Sequence, residues 1–225
     1  MVIDYAKGDT DFGDQARPQE GYGRKHTGSM DSNTLSAGGY YTLAQADGSY
    51  LDTVGMLSHI RNGYDDIYDD HGTQKAWRLG LSAEVGKPVL SFARTWKVEP
   101  QAQLSYQHTW YDSFHDDVGK IDSYGADSLR GRLGVRVLDD RSDAERPGQV
   151  YAVANLLHDF IKPEKVDFEG TKLREDYDRT FGEVGVGGRL SVGENSTLFG
   201  DARYRQSFGG DSRGSVFNVG IQIDF

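Results

Sequence analysis

The chain contains no cysteine. Disulfide frameworks, thiolate metal sites and thiol nucleophiles are therefore excluded, and the composition is compatible with an oxidising envelope compartment. Basic charge is also short, with 25 Lys and Arg against 35 Asp and Glu and a formal net charge of -10. Nucleic-acid phosphates are held by clustered Lys and Arg, and no basic stripe occurs, so no nucleic-acid partner is expected. Long apolar runs are missing: nothing approaches the roughly 18 residues of a membrane-spanning helix, in keeping with a mean hydropathy of -0.64. The six histidines, His26, His59, His71, His108, His115 and His158, are scattered without His-Glu-x-x-His spacing. No zinc site or other metal is expected from them. Neither a Gly-x-Ser-x-Gly elbow nor a complete phosphate-binding glycine motif is present, so no cofactor is expected.

What the chain does have is alternation. Phe217, Val219, Ile221, Ile223 and Phe225 fall on one side of the last segment, and Asn218, Gly220, Gln222 and Asp224 on the other. Side chains of a strand point to opposite faces with a period of two, so this strand needs an apolar medium on one side and a wet one on the other. The same pattern recurs upstream. Trp77, Leu79, Leu81, Ala83 and Val85 oppose Arg78, Gly80, Ser82, Glu84 and Gly86, and Val98, Pro100, Ala102, Leu104, Tyr106 and Trp110 oppose Glu99, Gln101, Gln103, Ser105, Gln107 and Thr109. Leu129, Leu133, Val135 and Val137 oppose Arg130, Arg132 and Arg136, while Val184, Val186, Leu190 and Val192 oppose Glu183, Gly185, Gly187 and Arg189. About ten strands are predicted, near residues 1–12, 33–43, 50–61, 76–86, 96–111, 128–138, 150–161, 180–192, 196–208 and 216–225. The segments 1–12, 50–61 and 150–161 alternate poorly, and their facing is not fixed by the sequence.

Rows of Glu, Gln and Arg cannot enter a dry core without large desolvation costs. They suit either the solvent side of a soluble antiparallel sheet or the hydrated interior of a membrane barrel, which is apolar outside. Connection lengths separate the two. Counting back from the C-terminus, a loop is expected near 209–215, long connections at 162–178, 112–127, 62–75 and 13–32, and, alternating with these, shorter ones at Gly193 to Asn195, at 139–149, at 87–95 and around Ala46 to Gly48. Long connections at one end and short ones at the other are the mark of an outer-membrane barrel, with both chain ends on the periplasmic side. The 13 Tyr, 10 Phe and 3 Trp suit interfacial girdles. The fold class expected is all-β, a transmembrane antiparallel up-and-down barrel, with 1–225 as one domain.

The segments Tyr40-Tyr41, Gly48–Asp52, Leu81–Gly86, Trp96–Leu104, Leu129–Gly134, Ala154–Phe160 and Gly182–Gly187, with the closing Phe225, carry a resemblance. In this order and spacing the chain resembles the C-terminal translocator domain of type V autotransporters, the self-secreting proteins of Gram-negative bacteria. The resemblance implies a twelve-stranded barrel with a helix through its lumen. With about ten strands here, and with Met1 leading directly into the strand-like Val2 to Tyr5 rather than a secretory signal, the chain reads as N-terminally incomplete, lacking the first strands and the luminal helix.

Function follows from the same resemblance. The expected role is an outer-membrane translocator that inserts through the barrel-assembly machinery and mediates secretion of its own N-terminal passenger. Its implied partners are outer-membrane lipid and lipopolysaccharide, periplasmic chaperones, the assembly machinery and the passenger, with the barrel itself a monomer. Phe217, Val219, Ile221, Ile223 and Phe225 resemble the terminal strand that the machinery reads by β-augmentation. Asp52, Glu84 and Glu99 match the luminal acids of relatives that release their passengers by single-turnover self-cleavage at an Asn, which is absent here. Arg130, Arg132, Glu183, Arg189 and Arg203 are expected to line the lumen, and Gly185 and Gly187 to leave its wall free of bulk. An ordinary enzyme is not expected. The competing readings are a barrel protease or lipase and a passive porin. The acids Asp65, Asp66, Asp69 and Asp70 with His71 lack calcium-loop spacing and read as a solvated loop.

Overall fold

The computed structural model describes residues 1–13, 26–66, 71–93, 95–115, 120–141, 148–162, 166–168, 171–173, 178–192, 195–210 and 212–223. Every regular element among them is a strand: β1 Val2–Gly13, β2 His26–Ala44, β3 Tyr50–Asp66, β4 His71–Gly86, β5 Leu90–Phe92, β6 Trp96–Tyr111, β7 Phe114–His115, β8 Lys120–Ile121, β9 Tyr124–Arg141, β10 Gly148–Asp159, β11 Val166–Phe168, β12 Thr171–Leu173, β13 Thr180–Ser191, β14 Ser196–Ser207 and β15 Arg213–Ile223. The main sheet runs in chain order, β1-β2-β3-β4-β6-β9-β10-β13-β14-β15, with β5 paired to β6, and β7–β8 and β11–β12 form separate hairpins. The up-and-down antiparallel order and the ten principal strands agree with the sequence pattern.

Several strands outrun their apolar alternation. β2 begins at His26 rather than near 33, β3 continues to Asp66, β4 starts at His71 and β9 spans Tyr124–Arg141. The long connection expected at 62–75 is therefore mostly strand. Alternation reports a difference between two media, and where both faces are wet it vanishes although the backbone ladder goes on. About 9–11 residues of tilted strand cross a bilayer. β13, β14 and β10 with 12 residues and β15 with 11 are close to that length, whereas β2 with 19, β9 with 18 and β3 with 17 exceed it. The loops expected at 87–95, 112–127 and 162–178 hold β5, the β7–β8 hairpin and the β11–β12 hairpin.

Two compact units are formed. The first comprises Met1–Tyr41, Val54–Leu81 and Tyr106–Asp127. β1 and β2 pair in it through a continuous register, Tyr5 opposite Leu35, that shifts only between Phe12 and Gly13. Its buried residues include Ile60 and Ala76 with Ser36, Ser58, Asn62, Gln74 and Thr109, while Ile3, Tyr5, Leu35, Leu57, Trp77 and Trp110 are exposed.

The second unit comprises Thr42–Thr53, Ser82–Ser105 and Ser128–Phe225. β9, β10, β13, β14 and β15 pair without irregularity, Asn155 opposite both Gly134 and Glu183, and Arg203 opposite both Gly185 and Val216. Its outward rows are apolar and bare: Val85, Leu104, Leu133, Val135, Val150, Leu156, Val184 and Val186, up to 83% exposure at Val219. The opposite face buries Glu99, Gln101, Asn155 and Glu183. In water such an apolar surface far exceeds what soluble monomers expose; against acyl chains it is the favourable arrangement. β10 alternates poorly because both its faces are apolar, Val153 and Leu157 buried beside Asn155, Val150 and Leu156 exposed.

A tight turn joins β2 to β3. Gly48 takes φ +81, a left-handed conformation that any residue with a Cβ disfavours. Asp47 secures it by accepting from Ser49 N at 3.0 Å and Ser49 Oγ at 2.6 Å, and its other oxygen meets Lys87 Nζ at 2.8 Å. These donors hold the Asp47 carboxyl well below the usual carboxylate range, the Lys87 bond first among them.

Candidate functional site

The polar face of the second unit gathers acids and arginines into two groups. Glu84 comes from the end of β4 and Glu99 from the start of β6, and Tyr50, the first residue of β3, lies between them. The Tyr50 hydroxyl donates to Glu84 Oε1 at 2.7 Å and lies 3.3 Å from Glu99 Oε1. Gln101 Nε2 donates to the Tyr50 oxygen and to Glu99 Oε1, each at 2.9 Å. Each acid has its own cation from β9: Arg132 Nη2 meets Glu84 Oε2 at 2.5 Å and Arg136 Nη2 meets Glu99 Oε1 at 2.6 Å. Two carboxylates thus approach one phenol without facing each other bare.

Local sequence makes this possible. Glu84 and Gly86 share a face of β4, and a Cβ on Gly86 would stand 2.5 Å from the Tyr50 ring. Only hydrogen at Gly86 lets that ring lie across the strand and bring its hydroxyl to Glu84. Arg132 and Arg136 are four apart on a strand and so point the same way.

The second group centres on Glu183 of β13, whose side chain is 4% exposed. Asn155 Nδ2 donates to its Oε1 at 2.8 Å, and Arg205 Nη2 and Nε reach its Oε2 at 2.7 and 3.1 Å. Arg203 lies 3.5 Å from Glu183 Oε1 and donates to Asp201 Oδ2 at 3.1 Å. Buried charge is tolerated only when paired and hydrogen-bonded, and here each acid is.

Of the residues singled out from the sequence, Glu84, Glu99 and Arg132 come together, as do Glu183 and Arg203. Asp52 follows Tyr50 by two residues on β3, half-buried, and its Oδ1 is buried without a hydrogen-bond partner among the described residues. Arg130 forms a two-pronged pair with Asp159 at 2.6 and 2.8 Å instead of joining either group. Arg189 keeps the parity of the polar face but is exposed near the end of β13. Gly185 and Gly187 seat neighbouring side chains: a Cβ on the first would meet Arg203 Cγ at 2.8 Å and on the second the Tyr151 ring at 2.5 Å. Phe217, Val219, Ile221 and Ile223 form an exposed outward row, from 83% at Val219 to 51% at Ile223, and Phe225 lies outside the described residues.

Tyr50, Gln101, Arg136, Asn155 and Arg205 were not expected as site residues. Arg136 continues the parity of Arg130 and Arg132, and Tyr50 precedes Asp52 on its face, so parity alone carried a signal for both. Arg132 Nε and Arg136 Nε are also buried without partners among the described residues, leaving donors beside the two acids. No group of three or more His, Asp or Glu among the described residues is arranged to hold a metal.

A family model described as autotransporter beta-domain matches residues 1–203. The chain is 27% identical over 211 residues to the adhesin BmaC autotransporter of Brucella suis biovar 1, covering 87% of this chain and 6% of that protein. It is 28% identical over 206 residues to the pertactin autotransporter of Bordetella parapertussis, covering 89% of this chain and 21% of that protein. The chain therefore spans a small part of the curated relatives it matches. Among solved structures it superposes on the translocator domain of autotransporter NalP from Neisseria meningitidis with a TM-score of 0.72 at 18% identity, covering 88% of this chain and 69% of that one.

Proposed function

The chain belongs to the autotransporter beta-domain family, and from that membership we propose that it is the membrane-embedded module through which a longer protein exports its own N-terminal passenger. Its place is the bacterial outer membrane. The observation that carries the reading is the inversion of the second unit, with bare Leu, Val and Ile rows outward and Glu183, Glu99 and their arginines within. Such a wall meets hydrocarbon on one side and presents a wetted, charged surface to a polypeptide on the other. The test is export. With a reporter passenger fused upstream, surface exposure of the reporter to added protease is expected; a reporter that stays protected while the barrel inserts would reject the reading. Peptide or ester turnover by the purified protein would favour a barrel enzyme, and steady conductance in planar bilayers without a passenger would favour a porin.

The assembly machinery and periplasmic chaperones are proposed partners, the machinery reading the outward row of β15. Removing Phe225 should lower assembly in cells far more than it lowers the stability of refolded protein. Equal losses in both assays would discard the recognition role.

A second reading, passenger release by self-cleavage, is favoured by the convergence of Glu84 and Glu99 on Tyr50. In that reaction a junction Asn attacks its own backbone carbonyl through its side-chain nitrogen. A new C–N bond forms, the peptide bond breaks, and one proton passes from the attacking amide to the departing amine. An acid on either side of one hydroxyl, with free arginine N–H groups beside them, supplies positions for that transfer. In the full-length protein, Glu84→Gln and Glu99→Gln should each slow release; unchanged release in both would exclude these acids.

A further inference from the structure

Outside the acid–arginine groups, the outward face of the first unit carries an aromatic row with cations beyond it. His59 of β3 meets Trp77 of β4 edge-on, ring centroids 5.0 Å apart, and His108 meets Trp110 on β6 at 4.4 Å. Asp112 N donates to Lys75 O at 2.9 Å and Arg78 Nε to Thr109 Oγ1 at 3.1 Å. Those two contacts fix the antiparallel register of β4 and β6, setting Trp77 beside Trp110 and Lys75 beside Asp112. By the same logic the His59–Trp77 contact sets Arg61 of β3 beside Lys75.

On one side of this row the outward residues are Leu57 and Leu81, both exposed; on the other they are Arg61 and Lys75, then Asp65 and His71. Trp77 and Trp110 are each 47% exposed. Amphipathic rings collect where hydrocarbon gives way to headgroups, so the row marks that boundary and the cations stand at headgroup height. Neither Arg61 nor Lys75 enters an ion pair among the described residues, although the chain is acidic overall. The neighbouring carboxylates are mostly taken. Asp127 accepts from Tyr106 at 2.5 Å and lies 2.8 Å from His108 Nδ1, Asp65 is paired with His71, and Asp112 is left beside Lys75.

We propose that Arg61 and Lys75 bind the phosphate of an anionic membrane lipid whose acyl chains lie against Leu57 and Leu81 below the Trp77–Trp110 row. The arginine fork suits two phosphate oxygens and the lysine adds a mobile point charge. The occupant is a lipid rather than free phosphate because the cations border the apolar stretch of the same strands, where a headgroup is held in place by its own chains. The inference rests on this face meeting lipid, not on the roles given to Glu84 or Glu99, so a folded protein that ignores phosphate would overturn the patch and leave the export reading standing.

The experiment uses protein purified in a neutral sugar detergent and titrated with short-chain phosphatidic acid, short-chain phosphatidylcholine or inorganic phosphate, with bound molecules counted by native mass spectrometry. Phosphatidic acid should be retained and the other two not. Arg61→Gln combined with Lys75→Gln should weaken retention by about 30-fold, taking each cation near an anionic surface at its usual worth. The charge-keeping exchange Arg61→Lys with Lys75→Arg should hold affinity within about threefold, and Asp112→Asn should tighten it. Unchanged binding in the double glutamine variant, equal retention of phosphatidylcholine, or inorganic phosphate bound as tightly as the lipid would each overturn the proposal. If the double variant does not fold, Asp112→Asn decides, and no gain there counts against it.

Discussion

The two units bury different chemistry. In the first, hydroxyls and amides meet one another: Ser58 Oγ donates to Ser36 Oγ at 2.9 Å, Tyr64 to Gln74 Oε1 at 3.3 Å, and Ile60 and Ala76 fill beside them. In the second, ionised pairs dominate, Glu84 with Arg132, Glu99 with Arg136 and Glu183 with Arg203 and Arg205. Neutral pairs exchange water for one another at little net gain or loss, whereas an ion pair sequestered from solvent depends on both partners. The neutral interior should tolerate substitution, and the ionic one should not.

The sharpest way to break this contrast is Glu183→Ala. It removes the carboxylate that Arg205 and the buried Asn155 amide share, while Arg203 keeps Asp201, and a loss of about 3–5 kcal/mol is expected in urea unfolding from lipid vesicles. A loss under 1 kcal/mol would mean that water already screens the group. Leu133→Arg, on the outward row of the same unit, should cost about 2–4 kcal/mol if that residue sits near the bilayer midplane. A neutral result in vesicles would place Leu133 away from hydrocarbon. Gly86→Ala should cost about 1–3 kcal/mol, because the new methyl displaces the Tyr50 ring, and the near-ultraviolet tyrosine signal should change with it. In the first unit, Ser58→Ala should cost about 1 kcal/mol and the Ser36→Ala, Ser58→Ala pair little more or less, since removing both partners leaves no orphan. A double variant far worse than either single would show the neutral interior to be as demanding as the ionic one.

The smallest effect is one of pH. The Asp47 carboxyl is depressed by Lys87 and Ser49 in the folded turn. Its contribution is therefore complete above the unfolded carboxylate value of about 4 and is lost as pH falls through the lower folded value. Asp47→Asn should remove that part of the acid dependence with little change in stability at pH 7. An identical acid limb in both proteins would exclude the turn as its source.

Ten strands were legible, and the apolar faces of all but the segments 1–12, 50–61 and 150–161, because a strand between lipid and water must alternate, as Val184 to Val192 and Phe217 to Ile223 do. The stretches His26 to Ser32 and Asn62 to Asp66 were not, since with water on both sides no pattern is required of them. Glu84 and Glu99 could be picked out by parity, and Arg136 could have been. Tyr50 could not be assigned its bridging position, because the offset between β3, β4 and β6 is set by backbone pairing across strands that are distant in sequence. Arg130 shows the same limit: its parity is that of Arg132, yet its height along β9 delivers it to Asp159.

By itself the sequence determined the number of principal strands, their antiparallel order and, wherever alternation is clear, which face is apolar, because those depend on a period of two and on short connections. Which acid meets which arginine, which glycine receives which ring, and where the wet ends of the strands continue were decided by register in the folded sheet. Register is a property of neighbouring strands, and a one-residue slip along either would exchange every partner on the face.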